Sequence, residues 1–146
     1  LKGEVDFSDT SFDPFSAQVV REGTDATIVA YGPLVPVALA AAEAAVEDGR
    51  SIEVIDLRSI SPLDVPTVAA SVAKTGRLII AHEAPTFGGM GGELAAAITE
   101  RCFYSLQAPV IRVGGYYMPY PISRVEEEYV PDIDRILEAV DRAFDY

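Results

Sequence analysis

The chain has one histidine, His82, followed at once by Glu83 and then by the glycine-rich run Phe87-Gly88-Gly89-Met90-Gly91-Gly92. An imidazole titrates near neutral pH, so His82 with a carboxylate beside it is a candidate acid/base pair. Such a pair needs a nucleophile or a metal to act with. The sequence shows no Gly-x-Ser-x-Gly elbow and no second histidine at metal spacing. His82 fits equally as a hydrogen-bonded histidine at a domain or subunit contact, and the missing partners weigh toward that role. The four glycines could offer backbone N–H groups to an anion at the start of a helix. Their spacing departs from Gly-x-Gly-x-x-Gly, since the sixth position from Gly89 is Leu94, and no P-loop lysine follows. A tight turn with close helix packing accounts for the same residues. Cys102 has only Arg101 beside it to favour a thiolate and reads as buried packing.

A third feature is the stretch Gly114-Gly115-Tyr116-Tyr117-Met118-Pro119-Tyr120-Pro121, followed by Arg124 and Glu126-Glu127-Glu128. Tyrosine and methionine concentrate at interface cores and acids at rims, so Tyr116, Tyr117, Met118 and Tyr120 are candidate subunit-interface residues. The alternative is an ordinary loop covering the end of a sheet.

Positioning these residues falls to an α/β pattern of short apolar runs alternating with helical periodicity. Residues 17–21 are an expected edge strand, 26–31 a central strand buried on both faces, and 51–57, 77–82 and 109–113 further strands. Helices are expected after Gly32-Pro33, with Val35, Leu39, Ala42 and Val46 inward. Others are expected after Ser61-Pro62-Leu63-Asp64, with Val65, Val68, Ala69 and Val72 inward, and over residues 93–101. The last runs from Asp132 to Phe144, with Ile133, Ile136, Leu137, Val140 and Phe144 inward and Glu138 and Arg142 on the wet face. Gly49 and Gly76 read as helix stops, and Ser61 as a capping oxygen. The expected fold is α/β, a three-layer sandwich with a mostly parallel sheet of about five strands and one antiparallel edge strand. Residues 1–16, with Glu4, Asp6, Asp9, Asp13 and Pro14 and no sustained period, are expected to be a linker from an upstream domain, leaving 17–146 as the folded domain.

The 146 residues suit one domain, and 11 basic against 23 acidic side chains give a net charge of −12. That charge repels phosphate backbones and anionic headgroups, so nucleic acid and membrane are not expected as partners. No apolar run approaches a bilayer span, and one cysteine allows no internal disulfide; a cytoplasmic location is expected.

Taken together, Thr24 to Gly32, Glu53-Val54-Ile55-Asp56-Leu57-Arg58-Ser59-Ile60-Ser61-Pro62-Leu63-Asp64, Lys74-Thr75-Gly76-Arg77 and His82-Glu83-Ala84-Pro85 resemble the transketolase C-terminal domain. The resemblance spans residues 17–146. It is nearest to the version of that domain in the beta subunit of the thiamine-diphosphate-dependent decarboxylating component of 2-oxo acid dehydrogenase complexes. The segments 100–106, Glu-Arg-Cys-Phe-Tyr-Ser-Leu, and Tyr129-Val130-Pro131-Asp132 are similar to the branched-chain type, and the pyruvate type shares much of the pattern.

That resemblance implies an oxidoreductase whose cofactors, thiamine diphosphate and magnesium, are held by the alpha subunit and by an N-terminal domain of the beta subunit. None would be bound by this chain, which has no Gly-Asp-Gly diphosphate motif and is expected to be inactive alone. It implies a heterotetramer with the alpha subunit and a second beta subunit. It also implies docking of the dihydrolipoyl acyltransferase core at the chain's terminal carboxylate, here Tyr146, with Asp141 and Asp145 nearby. The family's usual acid before Ala-Pro corresponds to Gln107, which carries no charge, and its Asp-Thr-Pro to Tyr117-Met118-Pro119. The rival expectations are a small stand-alone α/β enzyme using His82 and Glu83, and an anion-binding regulatory module at Gly88–Gly92.

Overall fold

The computed structural model describes residues 13–146 and shows a five-stranded sheet in the order β1-β3-β2-β4-β5. The strands are β1 (Gln18–Arg21), β2 (Ala26–Ala30), β3 (Ile52–Asp56), β4 (Leu78–Pro85) and β5 (Ile111–Gly115). β1 pairs antiparallel with β3, and every other pairing is parallel. Residues 1–12, most of the expected linker, lie outside the described residues. Asp13 begins a turn in which its carboxylate accepts from the Phe15 N–H at 2.9 Å and from the Ser16 hydroxyl at 2.6 Å.

The central strands are apolar on both faces because both faces are covered. Helices α1 (Leu34–Ala44) and α5 (Ile133–Phe144) close one face over Ile28, Val54, Ile79 and Val113. Helices α2 (Val65–Thr75) and α3 (Met90–Cys102) close the other over Val29, Ile55, Leu78 and Ile80. A one-turn helix, α4 (Glu126–Tyr129), follows the tyrosine-rich stretch. This is the three-layer sandwich expected from the sequence. Cys102 is buried in the second layer, its thiol 3.6 Å from the Ala69 carbonyl.

Several local expectations are corrected. α1 turns Leu34, Ala38, Ala41 and Ala42 inward, with Ala42 as expected and Ala45 buried in the turn that follows, while Val46 is exposed and Val35 and Leu39 are half-buried. Small side chains let a helix sit close to a sheet, so volume at the seam matters more than hydropathy. α5 is shifted in the same sense: Ala139 and Ala143 are buried beside Ile136 and Val140, while Ile133 is exposed. The cap of α2 is Asp64 rather than Ser61. Its carboxylate accepts from the Thr67 N–H at 3.1 Å and also ties down the Ala17 N–H at 3.0 Å, joining the helix start to the edge strand. β4 continues past His82 to Pro85, and β5 begins two residues later than expected, so Gly114 and Gly115 belong to the strand. α3 starts at Met90 rather than Glu93, which places Gly91 and Gly92 in its first turn. Gly49 and Gly76 are the left-handed helix stops expected, at φ of 73° and 72°.

Candidate functional site

At the carboxyl end of the parallel strands, where open α/β sheets place ligands, His82 is 0% exposed. Its Nδ1 lies 2.8 Å from the Ala84 carbonyl, so Nδ1–H donates and Nε2 is left without a proton. That Nε2 is buried and has no hydrogen-bond partner among the described residues. Three glycines close around the ring. A Cβ at Gly89 would come within 2.9 Å of its Cε1, one at Gly114 within 3.1 Å, and one at Gly91 would collide with Nε2 itself. Tyr31 stacks on the remaining side, with centroids 6.3 Å apart and planes 25° from parallel. Burial pushes the imidazole below its ordinary value of 6.5, and the nearby Arg112 charge pushes the same way, against the Ala84 bond.

Glu83 does not join His82. Consecutive strand residues face opposite sides of the sheet, and the electrostatic effect of Glu83 falls on Tyr31, whose hydroxyl is pushed up first by burial and then by that carboxylate. His82 is therefore an enclosed ring whose burial favours the neutral form. Two glycines of the turn serve the enclosure: Gly89 faces His82 and Pro85, and Gly91 faces His82.

The aromatic stretch covers this end of the molecule. Tyr129 is buried against Gly115, where a Cβ would lie 2.5 Å from its ring. Tyr116 and Tyr120 pack edge-on against it at 6.4 and 5.0 Å. Arg135 lies 4.7 Å over the Tyr116 ring and donates to the Gly114 and Tyr129 carbonyls, locking the loop to α5. Beyond this anchored base, Tyr117 is 78% and Phe87 72% exposed, paired with each other at 4.8 Å, and Met118 and Ile122 are exposed beside them. These exposed apolar side chains lie together at one end of the sheet.

The opposite end of the sheet is built from charge. Phe144 lies between two guanidiniums, Arg50 at 4.6 Å and Arg77 at 4.5 Å from its ring. Arg77 donates to the Ala143 carbonyl at 2.9 Å and to Gln107 Oε1 at 2.7 Å, while Arg50 pairs with Asp141. The structure thus brings Gln107 and Asp141 to one cluster around the end of α5, with Asp145 and Tyr146 exposed next to it and Tyr146 75% exposed. Asp141, expected as an acid near the docking terminus, pairs with Arg50 while its side chain stays 60% exposed. Deeper at this end, Glu53 is 1% exposed and is held by the Lys74 ammonium and the Gly23 N–H. Burial would raise its carboxyl, but these bonds, with one from Ser71, hold it below the ordinary range.

Sequence reasoning missed the arginines. Arg50, Arg77, Arg112, Arg135 and Arg142 are scattered over 93 positions. The available signal was scarcity: few bases in an acidic chain, several of them at the ends of expected elements.

Over residues 16–136 the chain matches the transketolase C-terminal domain family. It is 54% identical over 145 residues to a pyruvate dehydrogenase E1 component subunit beta from Leifsonia xyli subsp. xyli, covering 99% of this chain and 43% of that protein. It is 47% identical to a 3-methyl-2-oxobutanoate dehydrogenase subunit beta from Mycobacterium tuberculosis, covering 97% of this chain and 41% of that one. Among solved structures, a split-gene transketolase in an inactive beta4 tetramer superposes with a TM-score of 0.79 at 30% identity, covering 98% of this chain and 46% of that one. The chain thus spans less than half the length of these relatives.

Proposed function

We propose, given that this chain belongs to the transketolase C-terminal domain family, that it is the assembly and docking domain of the beta subunit of a 2-oxo acid dehydrogenase. The observation that carries this is the enclosure of His82. The end of the sheet where α/β enzymes keep reacting groups instead holds a neutral imidazole sealed under glycines, with exposed aromatic residues outside it. Such an end is suited to contact rather than chemistry. Tyr117, Met118 and Tyr120 would meet the alpha subunit or a second beta subunit. At the other end, Tyr146, Asp145 and Gln107 would receive the dihydrolipoyl acyltransferase core in a cytoplasmic complex. Asp141 is partly offset by its pairing with Arg50, so attraction of a basic partner module would rest mainly on Asp145 and the overall negative charge.

The relatives act on pyruvate and on 3-methyl-2-oxobutanoate by name, so the substrate proposed is a 2-oxo acid of one of these two kinds. Thiamine diphosphate with magnesium would supply the carbanion chemistry of the complete enzyme. The described residues contain no group of three or more His, Cys, Asp or Glu able to hold a metal ion, and the histidine here is enclosed, so no step of that chemistry is assigned to this chain.

Supplying the alpha subunit and the remaining part of the beta subunit in trans, then assaying lipoyl-dependent oxidative decarboxylation with each 2-oxo acid, tests the proposal. Activity is expected only when all parts are present. In the complete subunit His82→Asn should impair assembly or melting more than kcat; a collapse of kcat with assembly intact would sink the non-catalytic role.

A further inference from the structure

The base of the tyrosine loop borders a cavity of about 290 Å³ between edge strand β5 and helix α5, lined by Thr86, Gly114, Tyr116, Tyr117, Ala139 and four charged side chains. The charged residues are Arg112, Arg135, Arg142 and Glu138. Three guanidiniums against one carboxylate give the lining a formal charge of +2, in a chain whose net charge is −12. Charge of the opposite sign gathered in one concavity is the arrangement by which a protein raises the local concentration of an ion it otherwise repels.

The three arginines hold different ranks there. Arg135 is fixed, its donors on the Gly114 and Tyr129 carbonyls and its plane over the Tyr116 ring, so it forms a rigid wall. Arg112 spends one N–H on the Thr86 carbonyl at 2.9 Å, which aims the guanidinium while leaving most of its donors unspent. Arg142, two helical turns beyond Arg135 on the same side of α5, is exposed and makes no hydrogen bond or ion pair within the described residues. Folding therefore accounts for Arg135 and in part for Arg112, but not for Arg142. The tyrosine side chains supply an apolar wall beside the charges.

We infer that this cavity is a binding site for the phosphoryl group of a small organic molecule. A phosphoryl monoester carries about −1.5 to −2 charges near neutral pH, which matches the lining charge. Its three terminal oxygens can engage guanidiniums arriving from a strand and from two turns of a helix. A carboxylate has one charge and two oxygens and leaves part of that set unused. The organic remainder would rest on Tyr116, beneath the outer tyrosines proposed for the subunit contact. The site is separate from the glycine turn of residues 88–92, of which Gly89 and Gly91 are packed against His82.

The test is a titration of the complete protein with phenyl phosphate, and in parallel with benzoate, at low ionic strength. It is read by calorimetry and by hydrogen-exchange mass spectrometry. Saturable millimolar or tighter binding of phenyl phosphate is expected, with slowed exchange in peptides covering residues 112–117 and 135–142. Arg142→Ala should melt with the parent and bind about tenfold more weakly, and Arg142→Lys should recover only part of the loss. Absence of saturable binding, unchanged affinity in Arg142→Ala, or protection confined to other segments would overturn the site. Benzoate binding as tightly as phenyl phosphate would overturn the phosphoryl assignment.

Discussion

The two ends of the sheet solve different problems with different chemistry. At the carboxyl ends of the parallel strands, space is removed: glycines let β5 and α3 close on His82, and aromatic rings stack outward from Tyr129 to the surface. At the amino ends, charge is distributed: Glu53 and Lys74 sit among hydroxyls, and two arginines clasp Phe144 beside Asp141 and Gln107. An apolar exposed end favours a large, lasting contact, since apolar burial needs no salt-sensitive pairing. A charged end favours a contact that forms quickly and releases. The proposed division, one end for lasting assembly and the other for exchange, rests on that contrast.

The contrast can be broken most severely at the amino end. Glu53→Ala strips a buried carboxylate from Lys74, Ser71 and the Gly23 N–H, and should cost about 3 kcal/mol in urea unfolding. At the carboxyl end, Gly91→Ala forces a methyl against His82 Nε2. Despite alanine's better helix propensity it should cost about 2 kcal/mol, and combining it with His82→Ala should recover most of that loss, because the clash has a single partner. Phe144→Ala comes next, at about 1.5 kcal/mol. The ring is only half-buried but carries two cation–π contacts, and the loss should be accompanied by faster hydrogen exchange over the end of α5.

The smallest effect sharpens the comparison through pH. His82 is held below its ordinary 6.5 when folded, so in mildly acid solution the unfolded chain binds the proton and the folded chain does not. Stability is therefore full above about pH 6.5, declines as pH falls below it, and stops declining once the folded imidazole itself titrates. Glu53 and Asp64 are lowered carboxylates with ordinary values of 4.5 and 3.8, and their contribution persists until pH falls below those values. Melting between pH 7 and 5 should thus report the carboxyl end alone, and His82→Gln should flatten that slope. An unchanged slope in the variant would mean that His82 is not the titrating group.

The layered fold was legible because doubly buried strands and amphipathic helices write their periods locally. Gly49, Gly76 and Asp132 mark their helix ends in the chain as they do in space. The seam of α1 was not legible: nearly every residue of that helix is apolar, so periodicity could not choose between valine and alanine. His82 and the tyrosine loop were visible as features, yet their enclosure and anchoring come from Gly91, Gly114, Tyr129 and Arg135, which lie 9 to 53 positions from His82. The arginine cavity was invisible for the same reason, since Arg112 and Arg142 come to line one cavity only once α5 docks beside β5.

Hydrogen-exchange protection of the complete beta subunit, measured separately on adding the alpha subunit and on adding the isolated binding domain of the acyltransferase, tests the division of labour most directly. The alpha subunit should protect residues 116–122 and leave 143–146 unchanged, while the acyltransferase domain should protect 143–146 and the Arg77 and Gln107 segments and leave 116–122 unchanged. Protection of the same end by both partners, or of neither end by either, would contradict it.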